Sequence, residues 1–136
     1  MIFTFEHIKK IWLEQKTQTR RWSEKVPTPL LYNRYKAGQL YAVQEGRGKP
    51  GLKDMKIRVI RKWIETKRVR TNYLLECLRD GGVSGVLYVG GIPISAADAQ
   101  AEGGYNPENY EVEFKRLNKK WDGKDRVGLE FEVVRV

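Results

Sequence analysis

The densest run of polar side chains in the chain is Lys16-Thr17-Gln18-Thr19-Arg20-Arg21. In an extended backbone the even-numbered residues share one face of this run and the odd-numbered residues share the other. If the preceding helix continues for one more turn, Lys16 and Thr19 become neighbours at i, i+3. A lysine beside a threonine can take the hydroxyl proton only where burial lowers the lysine pKa, and the threonine then becomes a nucleophile. The alternative for the same residues is a solvated basic turn at a helix end.

Positive charge is concentrated in the first half of the 136-residue chain, whose formal net charge is +9. Residues 1–68 contain 17 Lys or Arg against 6 Asp or Glu, whereas residues 69–136 contain 9 against 11. An electropositive region of this kind attracts polyanions, although a charge that only promotes solubility is the alternative. An anionic membrane is a weaker candidate partner, because no segment combines a long apolar face with a basic one.

Two residues that occur only once limit the chemistry. Cys77 is the only cysteine and His7 the only histidine. An internal disulfide, a multi-cysteine zinc site and a Ser-His-Asp arrangement are therefore excluded, and we expect no metal and no cofactor. The N-terminus lacks the pattern of a signal peptide, and no run approaches the ~20 apolar residues of a membrane span. These features predict a cytoplasmic protein with no membrane partner.

The polar run must be positioned by a helix before it and by strands after it. Apolar spacing predicts an amphipathic helix over Glu6–Gln15 with Trp12 on its inward face. Pro27 and Pro29 predict an extended loop, and residues 46–51 predict a mobile basic loop. Strands are predicted over 40–44, 55–66, 86–89 and 127–133, and helices over 70–79, 95–101 and from residue 106 onward.

This order of elements predicts a single α+β domain over residues 1–136. Helices separate the strands, and the sequence has neither a βαβ repeat nor a glycine-rich phosphate motif. The pattern therefore favours a small mixed or antiparallel β-barrel with peripheral helices over a doubly wound sheet.

The polar run also resembles the signature of ASCH domains, which are small β-barrels related to the PUA RNA-binding fold. That signature reads Gly-x-Lys-x-x-Glu-x-Arg, with threonine in place of the glutamate in some branches, and Lys16, Thr19 and Arg21 match it in register. The segment Ala101-Glu102-Gly103-Gly104 resembles the family's acidic-glycine segment. Glu14 stands at the motif's glycine, so the backbone there need not adopt the family's shape. Residues 69–91 are longer than the usual connection and predict an insertion near the site.

The motif is most similar to that of small bacterial amidohydrolases that act on N4-acetylcytidine with a lysine, a threonine and a glutamate. The resemblance implies Thr19 as nucleophile, Lys16 as its activating base, and Glu102 as the group that orients or stabilises the reacting amide. Other ASCH proteins are proposed RNA binders, translation-associated factors or ribonucleases, so the fold alone does not assign an activity.

Five further side chains are candidates for contacts to a nucleic acid or nucleoside. Arg20 and Arg21 can each bind a phosphate or pair with a carboxylate, and Gln18 lies between the lysine and the threonine of the motif. Trp22 and Tyr105 can stack on a base, although aromatic residues in a small domain also serve as core or rim packing.

Three functions remain open from the sequence. The preferred expectation is a module that binds RNA, single-stranded nucleic acid or a modified nucleoside in a pocket at the motif. The second is an amidohydrolase, which requires Lys16, Thr19 and Glu102 to converge around a small pocket. The third is metal-independent RNA cleavage by the same lysine and arginines together with a tyrosine.

Overall fold

Two long antiparallel strands form the centre of the fold. The computed structural model describes residues 1–66, 85–87, 94–121 and 125–136. The helices in these ranges are α1 (Phe5–Trp12), α2 (Thr28–Arg34), α3 (Ala96–Ala101) and α4 (Pro107–Leu117). The strands are β1 (Gln18–Arg21), β2 (Leu40–Ala42), β3 (Met55–Thr66), β4 (Gly85–Leu87) and β5 (Arg126–Arg135).

The strands belong to one mainly antiparallel sheet. Its order is β1-β5-β3-β2, with antiparallel pairing between all neighbours in that list, and β4 pairs in parallel with the end of β3. A sheet of this kind with separate helices confirms the predicted α+β class. Strand pairing among the described residues gives an open sheet, so the closed barrel stays a prediction.

The structure confirms most of the strand predictions and corrects one loop. The predicted strand over 55–66 is β3, the alternating segment at the end of the chain lies in β5, and the segment over 40–44 contains the shorter β2. The extended loop expected at Pro27 and Pro29 is wrong, because α2 begins at Thr28 with Pro29 in its first turn. The first turn of a helix tolerates proline since the N–H groups there have no partner within the helix. The predicted helix over 70–79, Cys77 and most of the predicted insertion over 69–91 lie outside the described residues.

The inward faces of β3 and β5 carry much of the hydrophobic core. Met55, Ile57 and Val59 alternate inward along β3, and Leu129 and Phe131 face them from β5, all almost fully buried. Burying an aliphatic side chain of this size contributes roughly 1.5–3 kcal/mol. The packing of these two strands therefore fixes the position of β5, with which β1 pairs.

Gly128 makes room for an indole ring between the same two strands. The register pairs Gly128 with Trp63, and a Cβ added to Gly128 would lie 2.2 Å from the Trp63 ring. The Trp63 side chain donates its Nε1 hydrogen to Glu65 Oε1 over 2.9 Å. The β-bulge between Val59 and Arg61 puts Trp63 and Glu65 on the face of the sheet opposite to Val59, and a buried carboxylate therefore lies there next to the indole.

Helix α1 ends in a left-handed turn that leads into the polar run. Glu14 has φ 59°, and its backbone N–H donates to the Ile11 carbonyl over 2.9 Å. This conformation costs a non-glycine residue roughly 1–2 kcal/mol and is the one that glycine usually supplies at a helix C-terminus. Glu14 therefore takes a backbone conformation that glycine usually supplies. Trp12, which was expected to face inward, is 45% exposed, because α1 buries only His7 and Ile11.

Candidate active site

The polar run lies between the sheet and the end of α3. Residues from Gln18 onward form β1, the edge strand beside β5, and Thr19 pairs with Leu129 in the register. Just before the strand, the Thr17 N–H donates to the Ala101 carbonyl over 2.7 Å. This bond joins the motif to the α3 terminus, where Ala101 is followed directly by Glu102.

Lys16 and Glu102 form a buried ion pair. Lys16 Nζ lies 2.5 Å from Glu102 Oε1 and 3.0 Å from the Glu102 carbonyl oxygen, and both residues are 1% exposed. The solvated basic turn is thereby contradicted. The sequence-predicted lysine and glutamate meet although 86 positions separate them.

Arg20 extends this pair into a network. Its Nη1 donates to Glu102 Oε2 over 2.9 Å and to Gln18 Oε1 over 2.7 Å, while its Nη2 donates to Glu65 Oε1 over 2.7 Å. On the far side of Glu65, Arg126 Nε donates to Oε2 over 3.0 Å. The Gln18 amide in turn donates to Asp98 Oδ1 over 3.0 Å. Arg20 and Gln18 therefore bind protein groups rather than facing solvent.

The network shifts the pKa values of its members. Burial lowers the pKa of Lys16, and its attraction to Glu102 only partly offsets that effect. Burial alone would raise the pKa of Glu102, but the adjacent Lys16 and Arg20 outweigh it and lower that pKa. For Arg20 the attraction of Glu65 and Glu102 outweighs burial and raises the pKa. Lys16 is thus the cation of this group that is closest to giving up its proton.

Thr19 lines a cavity together with this ion pair. The cavity has a volume of about 320 Å³, and its lining includes Phe3, His7, Lys16, Thr19, Trp22 and Glu102. Thr19 is 4% exposed, and its hydroxyl forms no hydrogen bond with any residue in the described ranges. In particular no hydrogen bond joins it to Lys16. The Thr19 hydroxyl is therefore not held by any described group of the protein.

Arg21 lines the same cavity and lies against an aromatic ring. Its guanidinium carbon is 4.5 Å from the centre of the Phe3 ring. The Nε atom is buried and has no hydrogen-bond partner within the described part of the chain. Burial lowers the pKa of Arg21. The expected alternative, an internal ion pair, is therefore absent for Arg21 among the described residues, whereas Arg20 has one.

His7, which lines the cavity, forms a second polar pair with Tyr105. His7 Nε2 lies 3.1 Å from the Tyr105 hydroxyl, and burial, with a smaller effect of Lys16, lowers the His7 pKa from 6.5 to about 4. Lys10 Nζ lies 4.4 Å from the centre of the Tyr105 ring. The structure therefore places Trp22 in the cavity lining and Tyr105 outside it, beside His7.

Sequence reasoning missed Glu65, which holds two of the buried arginines. The signal was partial: Glu65 alternates with Trp63, but the β-bulge between Val59 and Arg61 puts both on the face of the sheet opposite to Val59. A carboxylate at an inward position of a strand is rarely left without a cation. Which arginine it meets depends on the pairing of β3 with β5 and of β5 with β1, and that pairing is a tertiary property.

The arrangement brings together a free hydroxyl, an amine of lowered pKa and a carboxylate at one small cavity. Those three groups are what nucleophilic attack on a carbonyl requires. Among the described residues, no cluster of His, Cys, Asp or Glu could hold a metal ion, and none of the described helices is long and apolar enough to cross a bilayer.

Comparisons with known proteins find similarity in structure only. No protein-family model and no curated protein matches the sequence. The chain is similar to a protein from Enterococcus faecalis assigned to the family model DUF984, with a TM-score of 0.60 and 18% identity, covering 98% of this chain and 76% of that one. It is also similar to an ASCH domain from Lactobacillus crispatus, with a TM-score of 0.54 and 15% identity, covering 99% of this chain and 79% of that one. The resemblance read from the motif is thus confirmed at the level of the fold: this chain has the fold of an ASCH domain.

Proposed function

We propose that the protein is an amidohydrolase that removes the acyl group from an N4-acylated cytosine nucleoside or a similar small amide. The observation that supports this proposal is that Thr19 lines, with an unbonded hydroxyl, the cavity that the buried Lys16–Glu102 pair also lines. The cavity volume of about 320 Å³ is at the lower end of the range for small-molecule sites. A polymer could place only a single base or side chain in it.

The reaction assigns one task to each of the three groups. Lys16 acts in its neutral form, which its lowered pKa makes accessible once the ammonium of the resting ion pair has lost a proton to solvent. Thr19 Oγ1 then attacks the acyl carbonyl while the Lys16 amine accepts the hydroxyl proton. The C–N bond then breaks, and Lys16 returns the proton to the departing exocyclic amine. Water hydrolyses the acyl-threonine ester, which releases the carboxylic acid and restores the hydroxyl. Glu102 holds the amine in position and stabilises the ammonium while Lys16 carries the proton.

The burial of the motif cations argues against a phosphate-binding role for Lys16 and Arg20. A residue that contacts the phosphates of a nucleic acid must present its charge at the surface, where it displaces counterions. Lys16 and Arg20 are 1% and 4% exposed, and each already contacts Glu102. If either cation left its partner to bind a phosphate, a buried carboxylate would lose one of its neutralising charges, and this would reduce the stability of the fold.

Hydrolysis of N4-acetylcytidine by wild type and Thr19→Ala tests the proposal. We expect the variant to lose at least about 100-fold in kcat, since the nucleophile is removed. Thr19→Ser should retain activity because it keeps the hydroxyl. Thr17→Ala is the matched control, as Thr17 does not line the cavity. Equal rates for wild type and Thr19→Ala, with both proteins folded by circular dichroism, would eliminate the mechanism.

A second candidate function, binding of single-stranded nucleic acid, is supported by the loop between β2 and β3. Arg47, Lys49 and Lys53 are exposed there and form no ion pair with a described residue, and neighbouring Glu45 lines the cavity. Filter binding of single-stranded RNA at two salt concentrations tests it. Replacing all three cations by glutamine should lower the salt slope by about 2, at ~0.7 per phosphate contact. Ribonuclease activity stays a prediction.

A further inference from the structure

Arg21 is a cation in the cavity wall that lacks a counter-ion among the described residues. An arginine side chain carries five N–H donors in a planar fork. No hydrogen bond or ion pair joins the Arg21 side chain to any residue in the described ranges, and its Nε hydrogen is buried. The Phe3 ring lies 4.5 Å from its guanidinium carbon. The remaining N–H groups of the fork have no acceptor among the residues that the structure describes.

The neighbouring buried cations, Lys16 and Arg20, each pair with a carboxylate, whereas Arg21 pairs with none among the described residues. Lys16 is matched by Glu102, and Arg20 by Glu65 and Glu102, at distances of 2.5–2.9 Å. Arg21 is half-buried, but its Nε hydrogen is shielded from water, and a shielded donor without a partner is costly, so proteins rarely keep one for stability alone. The unmatched positive charge therefore points to a ligand that supplies the missing anion.

Three carboxylates line the cavity, and none forms an ion pair or hydrogen bond with Arg21 among the described residues. Glu102 attracts Arg21, but its oxygens are bound by Lys16 and Arg20. Glu113 Oε1 lies 2.5 Å from Arg116 Nη2. Glu45 is exposed and forms no ion pair with a residue in the described ranges. The cavity therefore offers a bound molecule one free arginine fork, together with the Thr19 hydroxyl.

We propose that Arg21 binds an oxyanion group of the substrate, so that the cavity selects a charged acylated nucleoside over a neutral one. This inference rests on the proposed amidohydrolase function and specifies its substrate class. The anion is a phosphate on the ribose or a carboxylate on the acyl group. Both accept two parallel N–H bonds from one guanidinium.

Three substrates separate these sources in the wild-type protein: N4-acetylcytidine, its 5′-monophosphate, and cytidine carrying a succinyl group on N4. A charged hydrogen-bonded contact corresponds to a preference of about 10- to 100-fold in kcat/KM. We expect this preference for one of the two charged substrates. The preferred substrate then shows whether the anion is a phosphate on the ribose or a carboxylate on the acyl group. Equal kcat/KM values for all three substrates would overturn the proposal.

Arg21 variants then test whether this residue causes the preference. Arg21→Gln should bring the ratio of kcat/KM between charged and neutral substrate close to 1, and Arg21→Lys should retain part of the ratio. Arg61→Gln is the matched control, because Arg61 is exposed, pairs with Glu130 and lies outside the cavity lining. An unchanged ratio in Arg21→Gln overturns the proposal. An equal loss of kcat on all substrates also overturns it, since Arg21 would then act on the reacting amide.

Binding measurements keep the inference separate from the reaction. If none of the three substrates is hydrolysed, the proposed function fails, and calorimetric titration of the same compounds into wild type still tests Arg21. Tighter binding of a charged compound, lost in Arg21→Gln and partly retained in Arg21→Lys, supports the anion site without any turnover. Should Arg21→Gln fail to fold, competition by inorganic phosphate against the neutral compound in wild type provides the test. Absence of both competition and preference overturns the proposal.

Discussion

Replacing Glu102 by glutamine should cost the protein a large part of its stability. The carboxylate accepts from Lys16 at 2.5 Å and from Arg20 at 2.9 Å, and all three residues are almost fully buried. Removing one charge from a buried pair leaves the partner cation uncompensated, at a cost of about 3–5 kcal/mol. With unfolding entropies of ~2.1 cal/mol/K per residue, this loss lowers the midpoint of thermal unfolding by about 10–17 °C for 136 residues.

Urea denaturation followed by tryptophan fluorescence measures this loss directly. Glu130→Gln is the matched control, because Glu130 pairs with Arg61 at an exposed site over 3.2 Å and should change stability by less than about 1 kcal/mol. Adding Lys16→Met to Glu102→Gln should recover part of the loss, since the unpaired cation is removed. The reasoning is refuted if the unfolding free energy of Glu102→Gln lies within about 1 kcal/mol of the wild-type value. It is also refuted if Glu102→Gln and Glu130→Gln lose equal amounts of stability.

Three further predictions follow from the packing and the backbone. Gly128→Ala should destabilise by about 1–3 kcal/mol, because the new Cβ meets Trp63, whereas Gly46→Ala, in ordinary contact, should be near neutral in the same urea titration. Glu14→Gly should raise the unfolding free energy by about 0.5–1 kcal/mol, since φ 59° suits glycine, and a loss would contradict this. The His7 pKa of about 4 lies below the unfolded value of 6.5, so wild type should lose about 1–3 kcal/mol as the pH falls from 6.5 to 4. His7→Gln should lack that loss, and a variant with the wild-type slope would show that another group causes it.

The sequence predicted the strands better than the turns between elements. Alternation along β5 and the long β-branched run of β3 carry their own signal, because apolar residues recur at every second position along β5 and β-branched residues favour strands. The start of α2 was missed since a proline pair usually indicates extended backbone, and only the local capping geometry places Pro29 in a first helical turn. A non-glycine residue such as Glu14 disfavours a left-handed backbone, because its Cβ crowds the following carbonyl. The need to turn from α1 into β1 outweighed that preference.

The sequence predicted several of the residues that lie together at the cavity, but it did not predict which hydrogen bonds and ion pairs they form with one another. The motif register selected Lys16 and Thr19, and the acidic-glycine segment selected Glu102, yet no local pattern shows that Lys16 contacts Glu102 rather than Thr19. Glu65 was missed because its partners approach it only after three strands have paired. A polar residue at an inward strand position is therefore worth singling out from the sequence, even before its partner is known.

Counting charges along the sequence overestimates how much Lys16 and Arg20 contribute to the positive field outside the protein. Counting residues gives the first half a surplus of cations, but Lys16 and Arg20 are neutralised by Glu65 and Glu102 inside the fold. Their charges contribute little to the field outside the protein, because the ion pairs are short and buried. What distinguishes Arg21 is the absence of any such partner in the described chain, even though it adjoins Arg20 in sequence. Two adjacent arginines of one motif thus differ in their contacts: Arg20 pairs with the carboxylates of the site, and Arg21, under the proposal above, is left to pair with an anionic group of the substrate.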